Sequence, residues 1–169
     1  MKVTFVYLSE DDPSKSTMKK LERLGLAERI NARSIGSKVT LTPYGSTYIK
    51  KTDSVLVSRY GINVIDGSWA KIEGISGLRI KNGRRVPALL AANPVNYGKL
   101  EILSSVEALA AALFITGNTG LAVQILDKFK WGPNFLVLNK NPLTDYSECQ
   151  TDDQVKIMEN EYFPLNKKE

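Results

Sequence analysis

Ile62-Asn63-Val64-Ile65-Asp66-Gly67-Ser68-Trp69 is the stretch whose reading decides the fold. Residues 62–65 are apolar except for Asn63 and lack the strict alternation of a half-solvated strand. That is the pattern of a strand covered on both faces of a parallel sheet. Asp66-Gly67 closes the run, so the carboxyl end of the strand opens at an aspartate. In open α/β sheets that edge is where ligands sit.

The flanking sequence fits the same layout. Residues 2–8 alternate and then run apolar, as an opening strand does, and Pro13 followed by Ser16 or Thr17 marks a helix start leading into 18–26. The first ligand-facing turn is therefore expected over 11–17. Residues 39–41 form a short strand stopped by Pro43, and 53–60, too short for its period to discriminate, is read as helix. A short helix is expected over 69–75 and a second buried strand over 86–92, closing at Asn93-Pro94. Ser104 caps a helix over 106–115 that is apolar nearly all round and so belongs beneath the sheet. Gly117-Asn118-Thr119-Gly120 reads as a helix C-cap and turn, and helices over 121–129, 132–138 and 152–160 complete the second half. The expected class is α/β, with a parallel-sheet N-terminal lobe over 1–85 and a mainly α-helical C-terminal lobe over 86–169. The two share one core and have no flexible linker.

Composition narrows the chemistry. With 169 residues, 43% of them hydrophobic, the chain suits one domain or two small lobes on a common core. No apolar run approaches the ~20 residues of a membrane span, and residues 1–8 lack the basic start and long apolar core of a signal peptide. A cytoplasmic protein is expected. Cys149 is the single cysteine and histidine is absent, which removes internal disulfides, thiolate clusters, His-ligated metals and Ser-His-Asp or Cys-His catalysis. Neither a phosphate-binding G-x-x-x-x-G-K-[ST] loop nor a G-x-G-x-x-G turn is found. Any chemistry must therefore use carboxylates, hydroxyls, backbone groups or a cofactor that arrives activated. The net charge of +5 favours a polyanionic partner. Lys15, Lys19, Lys20 and Arg23 fall along one side of the early helix, and Arg79, Lys81, Arg84 and Arg85 crowd a Gly-containing loop. Both clusters read equally as RNA-phosphate contacts or as solvated charge.

Asp66 has two readings: a strand-end cap for the following helix, or a carboxylate facing a cationic ligand. Trp69 packs in a core, walls an apolar pocket, or lies against a sulfonium through its π face. Asn93-Pro94-Val95-Asn96-Tyr97-Gly98 has the composition of a loop, structural or ligand-binding.

Taken together, Asp12-Pro13 with Lys15-Ser16-Thr17, Leu41-Thr42-Pro43, Asp66-Gly67-Ser68-Trp69, Arg85-Val86-Pro87, Ala91 through Gly98 and Ser105-Val106-Glu107-Ala108 resemble the ribosome-biogenesis aminocarboxypropyltransferases that modify small-subunit rRNA. These are a branch of the SPOUT-like enzymes using S-adenosylmethionine. The resemblance runs from the opening strand to about Tyr146 and rests most on Asn93 to Gly98 with the Val-Glu-Ala helix. It implies a deep trefoil knot around the cofactor, a monomer, and no metal. It also implies transfer of the 3-amino-3-carboxypropyl group to N3 of an N1-methylpseudouridine, releasing methylthioadenosine. By position, the cofactor contacts it implies are Thr17, Asn63, Val86, Glu101 and Ser105, with Asp66 and Trp69 nearby and Asp66 the candidate base or electrostatic partner. The sequence departs from the family at Gly67, where Cys is usual, and at Lys99-Leu100-Glu101, where Arg-Pro-aromatic is usual. A related RNA methyltransferase and a non-catalytic rRNA-binding assembly factor are the rival expectations.

Overall fold

The computed structural model describes residues 1–8, 16–67 and 80–164. The helix expected over 69–75, Trp69 itself and most of the turn 11–17 lie outside the described residues. Five strands, β1 (Val3–Tyr7), β2 (Glu28–Arg29), β3 (Val39–Leu41), β4 (Ile62–Asp66) and β5 (Asn82–Arg84), make one sheet in the order β2-β1-β4-β3-β5, all pairs parallel. The opening stretch is its centre. All five residues of β4 are buried, with β1 paired from Val3↔Ile62 to Tyr7↔Asp66 and β3 on the other side. Asn63, the polar residue of the run, is accommodated by its register neighbours: its Oδ1 accepts from Thr4 Oγ1 at 2.8 Å and its Nδ2 donates to Thr40 Oγ1 at 3.5 Å. Three polar side chains thus satisfy one another across adjacent strands, which a buried amide requires.

Seven helices follow the same local logic: α1 (Thr17–Arg23), α2 (Ser54–Tyr60), α3 (Ser105–Ile115), α4 (Thr119–Leu126), α5 (Gly132–Leu138), α6 (Lys140–Tyr146) and α7 (Asp152–Tyr162), counted among the described residues. Ser16 caps α1 by accepting from Lys19 N, and Thr151 caps α7 by accepting from Gln154 N. The apolar helix α3 buries eight of its eleven residues against β4, α1, α4 and α6. Its alanines let these neighbours approach closely, and Gly132 does the same for α5, where a Cβ would lie 1.9 Å from Leu126 O. Gly117, at φ 90°, ends α3 as expected, but Thr119 and Gly120 already belong to α4. Helix α6 occupies a stretch to which the sequence pattern assigns nothing; its Pro142 falls in the first turn, where the missing N–H costs no helical hydrogen bond.

The expected strand over 86–92 is corrected. The segment is largely buried but joins no strand of the sheet: it makes one isolated antiparallel bridge, Leu90 to Leu100, and on alternate residues its backbone groups are claimed by side chains. Ala88 N donates to Glu159 Oε2 at 2.8 Å and Ala88 O accepts from Tyr146 Oη at 2.9 Å. Leu90 N donates to Asn139 Oδ1 at 2.8 Å, Leu90 O accepts from Asn139 Nδ2 at 2.9 Å, and Ala92 N donates to Glu107 Oε2 at 2.7 Å. On the alternate residues, Ala91 N bonds Lys99 O, Gly98 N bonds Ala91 O and Glu101 N bonds Leu89 O. Residues of α3, α6 and α7, together with Asn139, thus stand where a neighbouring strand would.

Asn139 is fully buried, and its amide imitates a peptide unit toward Leu90 while also donating to Phe135 O at 2.9 Å. Asn139→Ala should therefore cost about 2 kcal/mol in urea unfolding, chiefly from orphaning Leu90 N and O. Asn139→Asp should cost more, because an acceptor then faces two carbonyls. Unchanged midpoints in both variants would show that the amide is dispensable.

The last helix straps the two halves together. Tyr48 Oη donates to Glu159 Oε1 at 3.0 Å, Tyr48 N donates to Asp152 Oδ1 at 3.3 Å, and Lys50 Nζ lies 2.7 Å from Asp152 Oδ1. Burial works against the Asp152 charge, but the hydrogen bond and charge of Lys50 outweigh it and hold the carboxyl below its usual range.

Candidate active site

Tyr7 and Asp66 stand side by side at the carboxyl ends of β1 and β4. Asp66 is only 9% exposed, and both its oxygens are engaged: Ser16 Oγ donates to Oδ2 at 2.6 Å and Ser105 Oγ donates to Oδ1 at 2.8 Å. The carboxylate therefore clamps the start of α1 to the start of α3 across the sheet edge. Thr17 Oγ1 completes the junction by accepting from Val106 N at 3.3 Å. Toward α1 and α3 the aspartate binds hydroxyls and not backbone N–H groups; the helix after Asp66 that the capping reading concerned lies outside the described residues.

Above this junction lies a cavity of about 600 Å³, bounded by Tyr7, Ser16, Thr17, Asp66, Gly67, the 93–96 loop, 103–105 and Trp131. The loop is held from below by Glu107, whose fully buried carboxylate accepts from Ala92 N, Asn93 N and Asn93 Nδ2 at 2.7, 3.3 and 2.7 Å. The same carboxylate accepts from Ser104 N and Ser104 Oγ, each at 2.9 Å. Ser104 and Glu107 form a capping box, so one residue both starts α3 and shapes the 93–96 loop.

A second cavity, of about 350 Å³, is bounded by Thr42, Pro43, Arg85, Val86, Pro87, Glu101, Leu103 and Ala108. Leu103 lines both cavities. The expected site residues divide accordingly: Thr17, Asp66 and Ser105 line the first cavity, Val86 and Glu101 the second. Asn63 lines neither; it sits three residues back along β4, with its side chain consumed by Thr4 and Thr40. Glu101 is exposed and holds the left-handed conformation at φ 63°, a position that normally favours glycine or asparagine.

The two basic clusters fare differently. On α1, Lys19 Nζ lies 4.5 Å from the centre of the Tyr7 ring, while Lys20 Nζ donates to Lys128 O at 2.6 Å and lies 4.7 Å from the centre of the Phe129 ring. In the loop cluster, Arg84 is turned inward: its Nε lies 3.1 Å from both oxygens of Asp53, and its side chain is 17% exposed. Arg85 stacks on Tyr48 at 4.2 Å. Lys15 and Arg79 lie outside the described residues.

Tyr7, Leu103, Glu107 and Trp131 were not singled out as site residues in the sequence. The Ser104-x-x-Glu107 box was a signal for Glu107. Trp131 carried none, because it reaches the cavity from a part of the chain distant in sequence.

Sheet and cavities define an α/β protein with a cavity at the carboxyl edge of a parallel sheet. Residues 39–163 match the family model described as "Ribosome biogenesis protein, C-terminal". The chain is 52% identical over 161 residues to the 16S rRNA aminocarboxypropyltransferase of Thermoplasma volcanium, covering 95% of this chain and 98% of that protein. It is 38% identical over 160 residues to the 18S rRNA aminocarboxypropyltransferase of Saccharomyces cerevisiae, covering 94% of this chain and 51% of that protein. The solved structure of the SAM-dependent rRNA:acp-transferase from Vulcanisaeta distributa superimposes with a TM-score of 0.82 at 35% identity, covering 92% of this chain and 88% of that one. The chain belongs to the ribosome biogenesis family of rRNA aminocarboxypropyltransferases.

Proposed function

We propose that this protein transfers the 3-amino-3-carboxypropyl group of S-adenosylmethionine to N3 of an N1-methylpseudouridine in small-subunit rRNA during ribosome biogenesis. The observation that carries this reading is the pair of cavities meeting at Leu103, which suit the two unlike ends of that cofactor. Pro43, Val86, Pro87, Leu103 and Ala108 supply apolar walls for the adenosyl end. Thr17 and Ser105 supply hydroxyls for the amino-acid end, and Asp66 a nearly buried negative charge for a cation.

When bound, the cofactor offers three electrophilic carbons on its sulfonium: attack by N3 forms the N–C bond, the C–S bond breaks with its electron pair passing to sulfur, and the N3 proton leaves to solvent. The residues have only to choose which carbon meets the base. Asp66, fixed by Ser16 and Ser105, holds the positive charge at the sheet edge, and Thr17 and Ser105 direct the amino-acid arm into the larger cavity. Trp69, following Asp66 by three residues, is assigned to covering the methyl group. The helix face carrying Lys19, Lys20 and Arg23, with Lys15 before it, receives the RNA phosphates.

The remaining features of this reading are a monomeric, cytoplasmic enzyme, lobes of 1–85 and 86–169 on one core, and a deep trefoil knot through the chain around the cofactor site. The knot is supported by the motif resemblance. The proposal is tested by incubating the protein with unmodified small-subunit rRNA and cofactor, then analysing the nucleosides by mass spectrometry. An aminocarboxypropyl nucleoside is expected; a methylated nucleoside, or none, contradicts it.

A further inference from the structure

The larger cavity holds more than an amino-acid arm requires. Its lining also includes Trp131 and the 93–96 loop, to which the transfer chemistry assigns no role. Trp131 is half-buried, packs on Phe129 with ring centroids 5.2 Å apart, and its indole N–H meets no acceptor among the described residues. Phe129 in turn lies under Lys20, so the cationic face of α1 leads directly to the indole. Asn96 is also half-buried, and its backbone N–H is satisfied by Asn93 O and Asn93 Oδ1 while its side-chain amide has no partner among the described residues. By contrast the Asn93 amide is spent on Glu107 and Ile102. One aromatic plane and one free amide therefore face a cavity next to the reacting end of the cofactor.

We propose that Trp131 and Asn96 form the receptor for the acceptor base: the indole stacks on a pyrimidine swung out of the RNA, and the Asn96 amide donates to a ring carbonyl flanking N3. This rests on the transfer reading above and adds the residues that select the base. Reaching N3 requires a nucleotide out of its stack, and enzymes acting on flipped bases hold them by aromatic stacking and hydrogen bonds to the pairing edge. A carbonyl beside N3 presents a lone pair, so a donor placed there positions N3 without occupying it. Tyr7, the other aromatic group on the cavity, already has two cations over its ring, Lys19 at 4.5 Å and Arg29 at 5.7 Å, which leaves Trp131 as the stacking surface.

The test compares a hairpin RNA carrying N1-methylpseudouridine in its loop with the same hairpin carrying an abasic site there. The wild-type protein should bind the base-bearing hairpin about tenfold more tightly, the usual effect of one base–aromatic stack. Trp131→Ala should bring the two affinities within about twofold and Trp131→Phe should restore most of the difference. Asn96→Asp should weaken binding of the base-bearing hairpin and spare the abasic one. Equal wild-type affinities, or full discrimination in Trp131→Ala, overturn the proposal. Absence of methylthioadenosine from wild-type protein with the base-bearing hairpin would instead overturn the transfer reading, while the binding ratio still decides the receptor.

Discussion

Replacing Glu107 by alanine is expected to lower the unfolding free energy by about 3 to 5 kcal/mol. The carboxylate is fully buried and takes hydrogen bonds from Ala92 N, Asn93 N, Asn93 Nδ2, Ser104 N and Ser104 Oγ. Alanine leaves these donors facing one another around a hole. Each orphaned buried donor costs about 1–3 kcal/mol, but the Ser104 hydroxyl can turn and the loop can admit water, so the sum is not reached. Thermal unfolding should shift down by about 10 °C. Glu107→Gln keeps the volume but points an NH₂ at other donors, so it should recover little. The loss should extend to cofactor binding, because the 93–96 loop lines the larger cavity. A stability change below about 1 kcal/mol in both variants would show that water replaces the carboxylate and that the loop does not depend on it.

The second large effect is on binding. Asp66→Asn should weaken S-adenosylmethionine about thirtyfold and leave S-adenosylhomocysteine, which lacks the positive charge, nearly unaffected. The estimate takes about half of the ~4 kcal/mol that a unit charge pair at ~4 Å is worth near a protein surface, because asparagine keeps a dipole at the same place. The fold should survive, since the hydroxyls of Ser16 and Ser105 can each donate or accept. At saturating cofactor the single-turnover rate should fall less than the affinity does. Unchanged affinity with a collapsed rate would make Asp66 the proton acceptor for N3 instead. Titration calorimetry with both ligands, followed by rapid quench, separates the two roles.

Much of this architecture was legible because the residues deciding it act locally. The buried run of β4, the Ser16 and Ser104 caps, the apolar circumference of α3 and the Gly132 start of α5 each carry a short-range cause that the sequence states. The segment 86–92 misled for a physical reason: a buried apolar run indicates extended backbone but not which partner satisfies it. Here the partners are Asn139, Glu107, Glu159 and Tyr146, supplied by chain between 15 and 71 residues away. The site divides the same way. Thr17, Asp66 and Ser105 meet because strand ends and helix starts converge on one sheet edge, which topology dictates. Asn63 belongs to the same strand, but parallel register places it among Thr4 and Thr40 rather than at the cleft. Trp131 enters the cavity only through helix packing, and no local pattern announces that. Arg84 shows the converse, since a loop cation that looks free in the sequence is folded onto Asp53.

The central claim is that the pocket presents the amino-acid arm of the cofactor, and not its methyl group, to RNA. Two parallel reactions on unmodified small-subunit rRNA test it most directly, one with S-adenosylmethionine labelled in the carboxyl carbon and one with it labelled in the methyl carbon. The account predicts that the carboxyl label enters RNA while the methyl label leaves in methylthioadenosine. Methyl label in RNA, with S-adenosylhomocysteine as the released product, would contradict it.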